Sequence, residues 1–177
     1  MIDAGEYGRA LFLLSEEDGI TELILQDLEC LRAVISDTPD YLKLLDTPAI
    51  DAEEKIKLAD TALSGLHPHL CSLVKILTEK RCAYLLPRIA ASFRREYDEA
   101  RGIERVEAVS AVAMTERQTS LLSEKLAKIT GKQIIITNTV DPSILGGIKL
   151  RYGGIQLDGS VKTRLDGFAR SLRDTVI

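Results

Sequence analysis

The sequence predicts an α+β protein: an N-terminal bundle of six short helices over residues 1–102, followed by a small α/β domain over residues 103–177. Three observations carry that reading. Apolar residues recur at helical spacing up to Gly102. Beyond it, β-branched runs and paired glycines take over. The charge balance changes at the same place. Residues 1–102 carry 12 Lys/Arg against 19 Asp/Glu, whereas residues 103–177 carry 11 against 8.

The elements follow in order. Tyr7, Ala10, Leu11 and Leu14 lie at i, i+3, i+4 and i+7, one face of a first helix, and Gly19 breaks it. Ile20, Leu23, Ile24, Leu28, Leu31 and Ile35 stripe a second helix, which must end before Pro39 because a residue preceding proline avoids the α region. Tyr41 to Leu45 reads as a short third helix. Asp51 with Glu54 forms a capping box for a fourth, lined by Ile56, Ala59, Ala62 and Leu63 and ended by Gly65. Pro68 suits the first turn of a fifth helix, striped by Leu70, Leu73, Val74 and Leu77. Pro87 opens a sixth, with Ile89, Ala90, Phe93 and Tyr97 inward and Gly102 as its C-terminal cap.

In the second half, Arg105 to Val112 reads as a strand. Thr115 and Gln118 form another capping box, ahead of Leu121, Leu122, Leu126 and Ile129 at helical spacing, and Gly131 ends that helix. Ile134-Ile135-Ile136 is a second strand. Ile148, Leu150 and Tyr152 alternate with Lys149 and Arg151, a strand with one wet face. Gly153-Gly154 fits a two-residue hairpin turn, because both positions tolerate positive φ. Ile155 and Leu157 continue the alternation as a fourth strand. Ser160 caps an expected last helix striped by Val161, Leu165, Phe168 and Leu172.

Composition narrows the function. A net charge of −4 disfavours a nucleic-acid binder. No run approaches the roughly 20 apolar residues of a membrane span. Met1 to Glu6 carries neither a basic region nor an apolar signal core, so secretion is not expected. Cys30, Cys71 and Cys82 form no CxxC pair and read as reduced packing residues of a cytosolic protein rather than a disulfide framework or zinc site. His67 and His69 flank Pro68, a helix-start turn rather than the i, i+4 spacing of a metal pair. Phosphate-loop and nucleophile-elbow motifs are absent. Glu16-Glu17-Asp18 and Glu53-Glu54 read as solvated helix ends, Lys80-Arg81 and Arg94-Arg95 as surface pairs, and Lys149 and Arg151 as a solubilising strand face. No catalytic residue, cofactor site or metal site emerges. Two rivals to a binding or structural role are a phosphate-binding enzyme built on the glycine pairs and a nucleic-acid module using the positive half.

The stretch from Asp141-Pro142-Ser143 through Gly146-Gly147 to Asp158-Gly159-Ser160-Val161-Lys162-Thr163-Arg164-Leu165 closely resembles the C-terminal signature of the F-type ATP synthase delta subunits, the family of the mitochondrial oligomycin-sensitivity-conferring protein. Tyr7-Gly8-Arg9-Ala10-Leu11-Phe12, Glu79-Lys80-Arg81 with Leu85 to Ile89, and Thr130-Gly131-Lys132 extend the resemblance along nearly the whole chain. The sequence departs from the family's common pattern at Ser72-Leu73, Cys82 and Gly154. The resemblance implies a non-catalytic part of the peripheral stalk that resists rotor torque. Its N-terminal half would bind the N-terminal helices of the alpha subunits in the catalytic head, and its C-terminal half the membrane-anchored b subunits. It would then sit at the cytoplasmic face of the bacterial inner membrane, held there through its partners. The resemblance also places the alpha-binding groove between the first and fifth helices. That carries over Tyr7, Ala10, Leu11 and Leu14 with Leu70, Val74 and Leu77, each of them equally a candidate core residue.

Overall fold

The computed structural model describes residues 3–38, 65–160 and 163. The chain divides into two compact units, Met1–Asp98 and Glu99–Ile177.

The first unit contains α1 (Ala4–Glu17), α2 (Thr21–Asp37), α3 (Pro68–Glu79), a 3-10 turn at Ala83–Leu85, and all but the last two residues of α4 (Leu86–Ala100). The Asp3 carboxylate caps α1 by accepting the Gly5 N–H at 2.8 Å. His67 caps α3, with Pro68 in the first turn where a missing N–H costs nothing. At the other end of α3, the Arg81 N–H bonds the Thr78 carbonyl and the Cys82 N–H the Leu77 carbonyl, the paired bonds of a Schellman ending. Arg81 occupies its left-handed position with φ 53°, a place glycine usually takes.

Leu11, Phe12, Ile24, Leu28, Leu70, Val74, Leu77, Leu86, Ile89 and Phe93 form the buried centre of this unit. Phe12 meets Phe93 edge to face at 5.8 Å. α1 approaches α4 through Gly8. A Cβ built there would stand 2.5 Å from the Ser92 Cβ and 2.8 Å from the Ile89 carbonyl oxygen. The Ser92 hydroxyl donates to the Gly5 carbonyl beside that crossing.

The expected six-helix bundle is corrected here. The described residues hold five α-helices in all, four in the first unit and one in the second. The expected helices at Tyr41 to Leu45 and after Asp51 fall outside the described residues. Among the described residues the packing of the first unit is that of four helices and a short turn.

The second unit is one βαβ crossover followed by a hairpin. Its elements are β1 (Ile103–Ser110), α5 (Glu116–Thr130), β2 (Gln133–Val140), β3 (Ile148–Tyr152) and β4 (Ile155–Asp158). The strand order is β2-β1-β3-β4, with β1 parallel to β2 and antiparallel to β3, and β3 antiparallel to β4. Strand β1 starts and stops two residues earlier than the sequence suggested. The Thr115/Gln118 capping box forms as expected. Gly153 and Gly154, at φ 52° and 80°, make the two-residue turn between paired Tyr152 and Ile155.

The two sheet faces differ. Val106, Ala108, Ile134 and Leu150 pack with Leu126 of α5. On the opposite face Arg151 pairs with Glu107 and Lys149 with Asp158, while Lys132 pairs with Glu104 where β1 and β2 begin. Lys149 and Arg151 thus spend their charge on their own sheet. The hydrogen bond and negative charge of Glu104 raise Lys132 above its ordinary pKa. Asn138 ties down the β1–α5 connection: its amide donates to the Ala108 carbonyl and the Ser110 hydroxyl, and its carbonyl accepts the Met114 N–H, each at 2.8 Å.

Candidate functional site

The residues carried over for the groove separate into two groups. Leu70, Val74 and Leu77 are fully buried and Leu11 nearly so. Tyr7 is half-buried, and Ala10 and Leu14 are exposed, Leu14 at 42%. The inward face of α1 consists of Gly8, Leu11, Phe12 and Ser15. It is rotated from the stripe of large apolar residues because two of its positions are small and admit close neighbours.

Two polar bridges locate α3 beside α1. Lys80 Nζ donates to the Tyr7 hydroxyl at 3.4 Å, and His69 Nε2 lies 2.7 Å from Asp18 Oδ2. One bridge joins the start of α1 to the end of α3, and the other joins the end of α1 to the start of α3, so the two helices run antiparallel. Between the bridges α1 contributes Ala10 and Leu14. On α3, Ile76 shares the helical stripe of Lys80, Leu73 and His69. Ile76 is 41% exposed and Leu73 is buried. The seam therefore has a buried floor and an exposed apolar rim. Its length, eleven residues of helix, is about 16 Å. Ile76 was missed in the sequence because it lies one position off the Leu70-Leu73-Val74-Leu77 stripe. The signal for it is the spacing of four from Lys80.

The acidic run Glu16-Glu17-Asp18 is more than a solvated end. Carboxylates at a helix C-terminus are unfavourable to its dipole. Here Glu16 accepts the Thr21 hydroxyl at the start of α2, at 2.7 Å, and Asp18 meets His69 at the start of α3. The charges thus lie at two helix N-termini. The largely buried Asp27 adds to the second of these by accepting the His67 N–H at 2.7 Å. His67 Nδ1 accepts the His69 N–H, which makes the His67-Pro68-His69 segment the helix start its spacing suggested. Among the described residues no group of three His, Cys, Asp or Glu is arranged to hold a metal. Cys71 and Cys82 pack on the core as expected, but Cys30 is exposed, because it lies on the outer face of α2.

The distinctive stretch of the second unit serves its own backbone. Asp141 Oδ1 accepts the Ser143 N–H and Asp158 Oδ1 the Ser160 N–H, each at 2.9 Å. Bonds from Ser143 and Ser160 respectively lower both carboxyls below their usual range. Gly147, at φ 87°, lies against the Gly159-Ser160 backbone, where a Cβ would meet the Gly159 carbonyl oxygen at 2.5 Å. The Gly159 N–H bonds the Ile148 carbonyl at 3.0 Å. Buried Ser160 accepts the Thr163 N–H, the N-cap arrangement, while the helix expected beyond it falls outside the described residues.

Comparison with known proteins agrees along the chain. The model of a family described as "ATP synthase delta (OSCP) subunit" matches residues 4–172. The ATP synthase subunit delta of Carboxydothermus hydrogenoformans is 36% identical over 169 residues, covering 96% of each chain. That of Leuconostoc citreum is 34% identical over 163 residues, covering 92% of this chain and 91% of its own. A chain in the cryo-EM structure of the Toxoplasma gondii mitochondrial ATP synthase hexamer superposes with a TM-score of 0.74 over 97% of this chain and 98% of that one, at 23% identity, a likeness of fold. Among the described residues no helix is long and apolar enough to cross a membrane. The chain belongs to the ATP synthase delta (OSCP) subunit family, non-catalytic components of the enzyme's peripheral stalk.

Proposed function

We propose that residues 1–102 hold the catalytic head by taking the N-terminal helix of an alpha subunit into the α1–α3 groove, and that residues 103–177 join the b subunits. The link stops the head from turning with the rotor and sits at the cytoplasmic face of the bacterial inner membrane through those partners. The observation that carries the groove is the exposed rim of Ala10, Leu14 and Ile76 above buried Leu11 and Leu73, bounded by polar bridges at both ends. An amphipathic helix buries an i, i+3, i+4, i+7 stripe in such a groove. Leu11, Leu70, Val74 and Leu77 then act as the floor and its support rather than as the contact surface.

Two variants of the full chain test this. Leu14→Glu places a charge on the rim, and burying an unpaired charge under a partner costs several kcal/mol. The expected result is loss of binding to a synthetic alpha N-terminal peptide by about tenfold or more, with a melting temperature close to wild type. Leu11→Glu places the charge in the core and unfolds the helical unit instead. Undiminished peptide binding by Leu14→Glu overturns the groove.

A further inference from the structure

The α/β unit has a strand edge that no described residue pairs. In the order β2-β1-β3-β4, β2 is outermost and its ladder runs along β1 alone. The Gln133 N–H bonds the Gly102 carbonyl and the Asp141 N–H the Ser110 carbonyl, so the odd-numbered residues of β2 turn their backbone groups to β1. Those of Ile134, Ile136, Asn138 and Val140 point away from the sheet. The Ser123 hydroxyl of α5 takes up the Ile134 carbonyl at 3.1 Å. Among the described residues nothing takes up the N–H and C=O groups of the other three. Edge strands are ordinarily blunted by Lys, Pro or a bulge. From Gln133 to Val140 there is no charge and no proline, and the register with β1 is unbroken. Beside this edge lies a groove of about 640 Å³, with Thr119, Ser120 and Ser123 of α5 on one wall and Ile134 and Ile136 of β2 on the other. Two carboxylates stand on it, Glu116 and Glu124. Neither has a hydrogen bond or ion pair among the described residues. They are eight helical residues apart, about 12 Å.

We infer that the β2–α5 groove receives an extended segment of a partner chain, which adds to the sheet as a further strand. Main-chain bonds to Ile136, Asn138 and Val140 hold the segment, and its alternate side chains enter the groove. On a strand, a residue and the fourth one after it are about 13 Å apart, close to the separation of Glu116 and Glu124. The segment that fits therefore reads basic-x-apolar-x-basic. Its aliphatic side chain lies over Ile136, and the Lys or Arg on each side meets a carboxylate. This surface is separate from the α1–α3 groove, and the inference does not need its partner to be a b subunit. The chain's own residues beyond Ser160 start from β4, the opposite edge of the sheet.

The test is amide exchange and chemical-shift titration of the full chain by NMR, with the peptide acetyl-Thr-Lys-Thr-Val-Thr-Lys-Thr-amide as probe. In the chain alone, the amides of Ile136, Asn138 and Val140 should exchange rapidly and those of Ile135 and Thr137 slowly. The peptide should produce saturable shifts along β2 and the facing side of α5. It should also slow the rapid set about tenfold once nine-tenths of the chain is bound. Two further peptides, one N-methylated at its Lys and Val residues and the other at its central Thr residues, should behave oppositely. The one methylated on the side facing β2 loses binding, and the other keeps it. Replacing both carboxylates, Glu116→Gln with Glu124→Gln, should weaken binding about threefold to tenfold at low salt with an unchanged melting temperature. Slow exchange of Ile136, Asn138 and Val140 in the chain alone means that this chain or a second copy already covers the edge, and overturns the inference. No saturable shifts, or equal binding by the two methylated peptides, overturns it as well. The alpha-subunit and b-subunit readings stand under each of these results.

Discussion

The helical unit and the α/β unit use their distinctive residues in opposite ways. In the helical unit, Leu14 and Ile76 stand exposed on a seam whose polar bridges leave the strip between them open. In the α/β unit, the most recognisable stretch turns on itself: Asp141 and Asp158 bond the backbone two residues on, and Gly147 lies against the Gly159-Ser160 backbone. A rare pattern of residues therefore marks a demanding backbone in one unit, while in the other the surface proposed for a partner consists of an ordinary alanine, leucine and isoleucine. Distinctiveness in the sequence reports conformational constraint more directly than contact with another molecule.

Four changes sharpen that contrast, in descending order of expected effect. Gly147→Ala should be the most damaging, because it adds a Cβ both in a left-handed conformation and against the Gly159 carbonyl. A loss of about 2–4 kcal/mol is expected in urea unfolding followed by circular dichroism. An unchanged midpoint would remove the lock from the comparison. Gly8→Ala probes a close backbone approach in the helical unit. The clash with Ser92 and the Ile89 carbonyl should cost about 1–3 kcal/mol in the same measurement.

Arg81→Gly should move the other way, by about 0.5–1 kcal/mol, since glycine adopts the left-handed position without the side-chain penalty and gives back part of the gain in chain entropy. A destabilised variant would show that the Arg81 side chain contributes more than its backbone costs. The smallest effect is on acid stability. Asp158 is held below the ordinary carboxylate pKa by hydrogen bonds from Ser160, backbone first. Its folded form therefore binds a proton less readily than the unfolded chain does. The resulting stability is present above about pH 4 and drains away as pH falls through the folded value. In Asp158→Asn, unfolding midpoints should change less than wild type between pH 4 and 2; an identical dependence would deny Asp158 a part in it.

Local rules made much of this molecule legible. The Thr115/Gln118 box, the Gly153-Gly154 turn and the Ser160 cap each involve residues within a few positions of one another, so nothing distant could override them. The inward face of α1 was not legible. Hydrophobicity favoured Ala10 and Leu14 over Gly8 and Ser15, whereas packing against α4 rewards the small residues. Ile76 escaped notice because it lies off the apolar stripe, and the bridge that sets it on the seam joins Lys80 and Tyr7, seventy-three residues apart in the chain. The six-helix count is replaced by the four helices described in that unit, each of which carried a stripe or a cap in the sequence. Gly8 was available as a clue, since an isolated glycine inside a helical pattern asks for a packing reason.

The Gly147–Gly159 contact has a mechanical consequence. β4 has one strand neighbour and four residues, so tension reaching it from the chain beyond Ser160 would open its hydrogen bonds in succession, like a zip. The bond from the Gly159 N–H to the Ile148 carbonyl, and the glycine backbones wedged together beside it, fasten that end of the ribbon to the start of β3. β3 is in turn paired along β1. Load entering at Ser160 is thus handed past the weakest strand to the middle of the sheet, where several bonds must yield together.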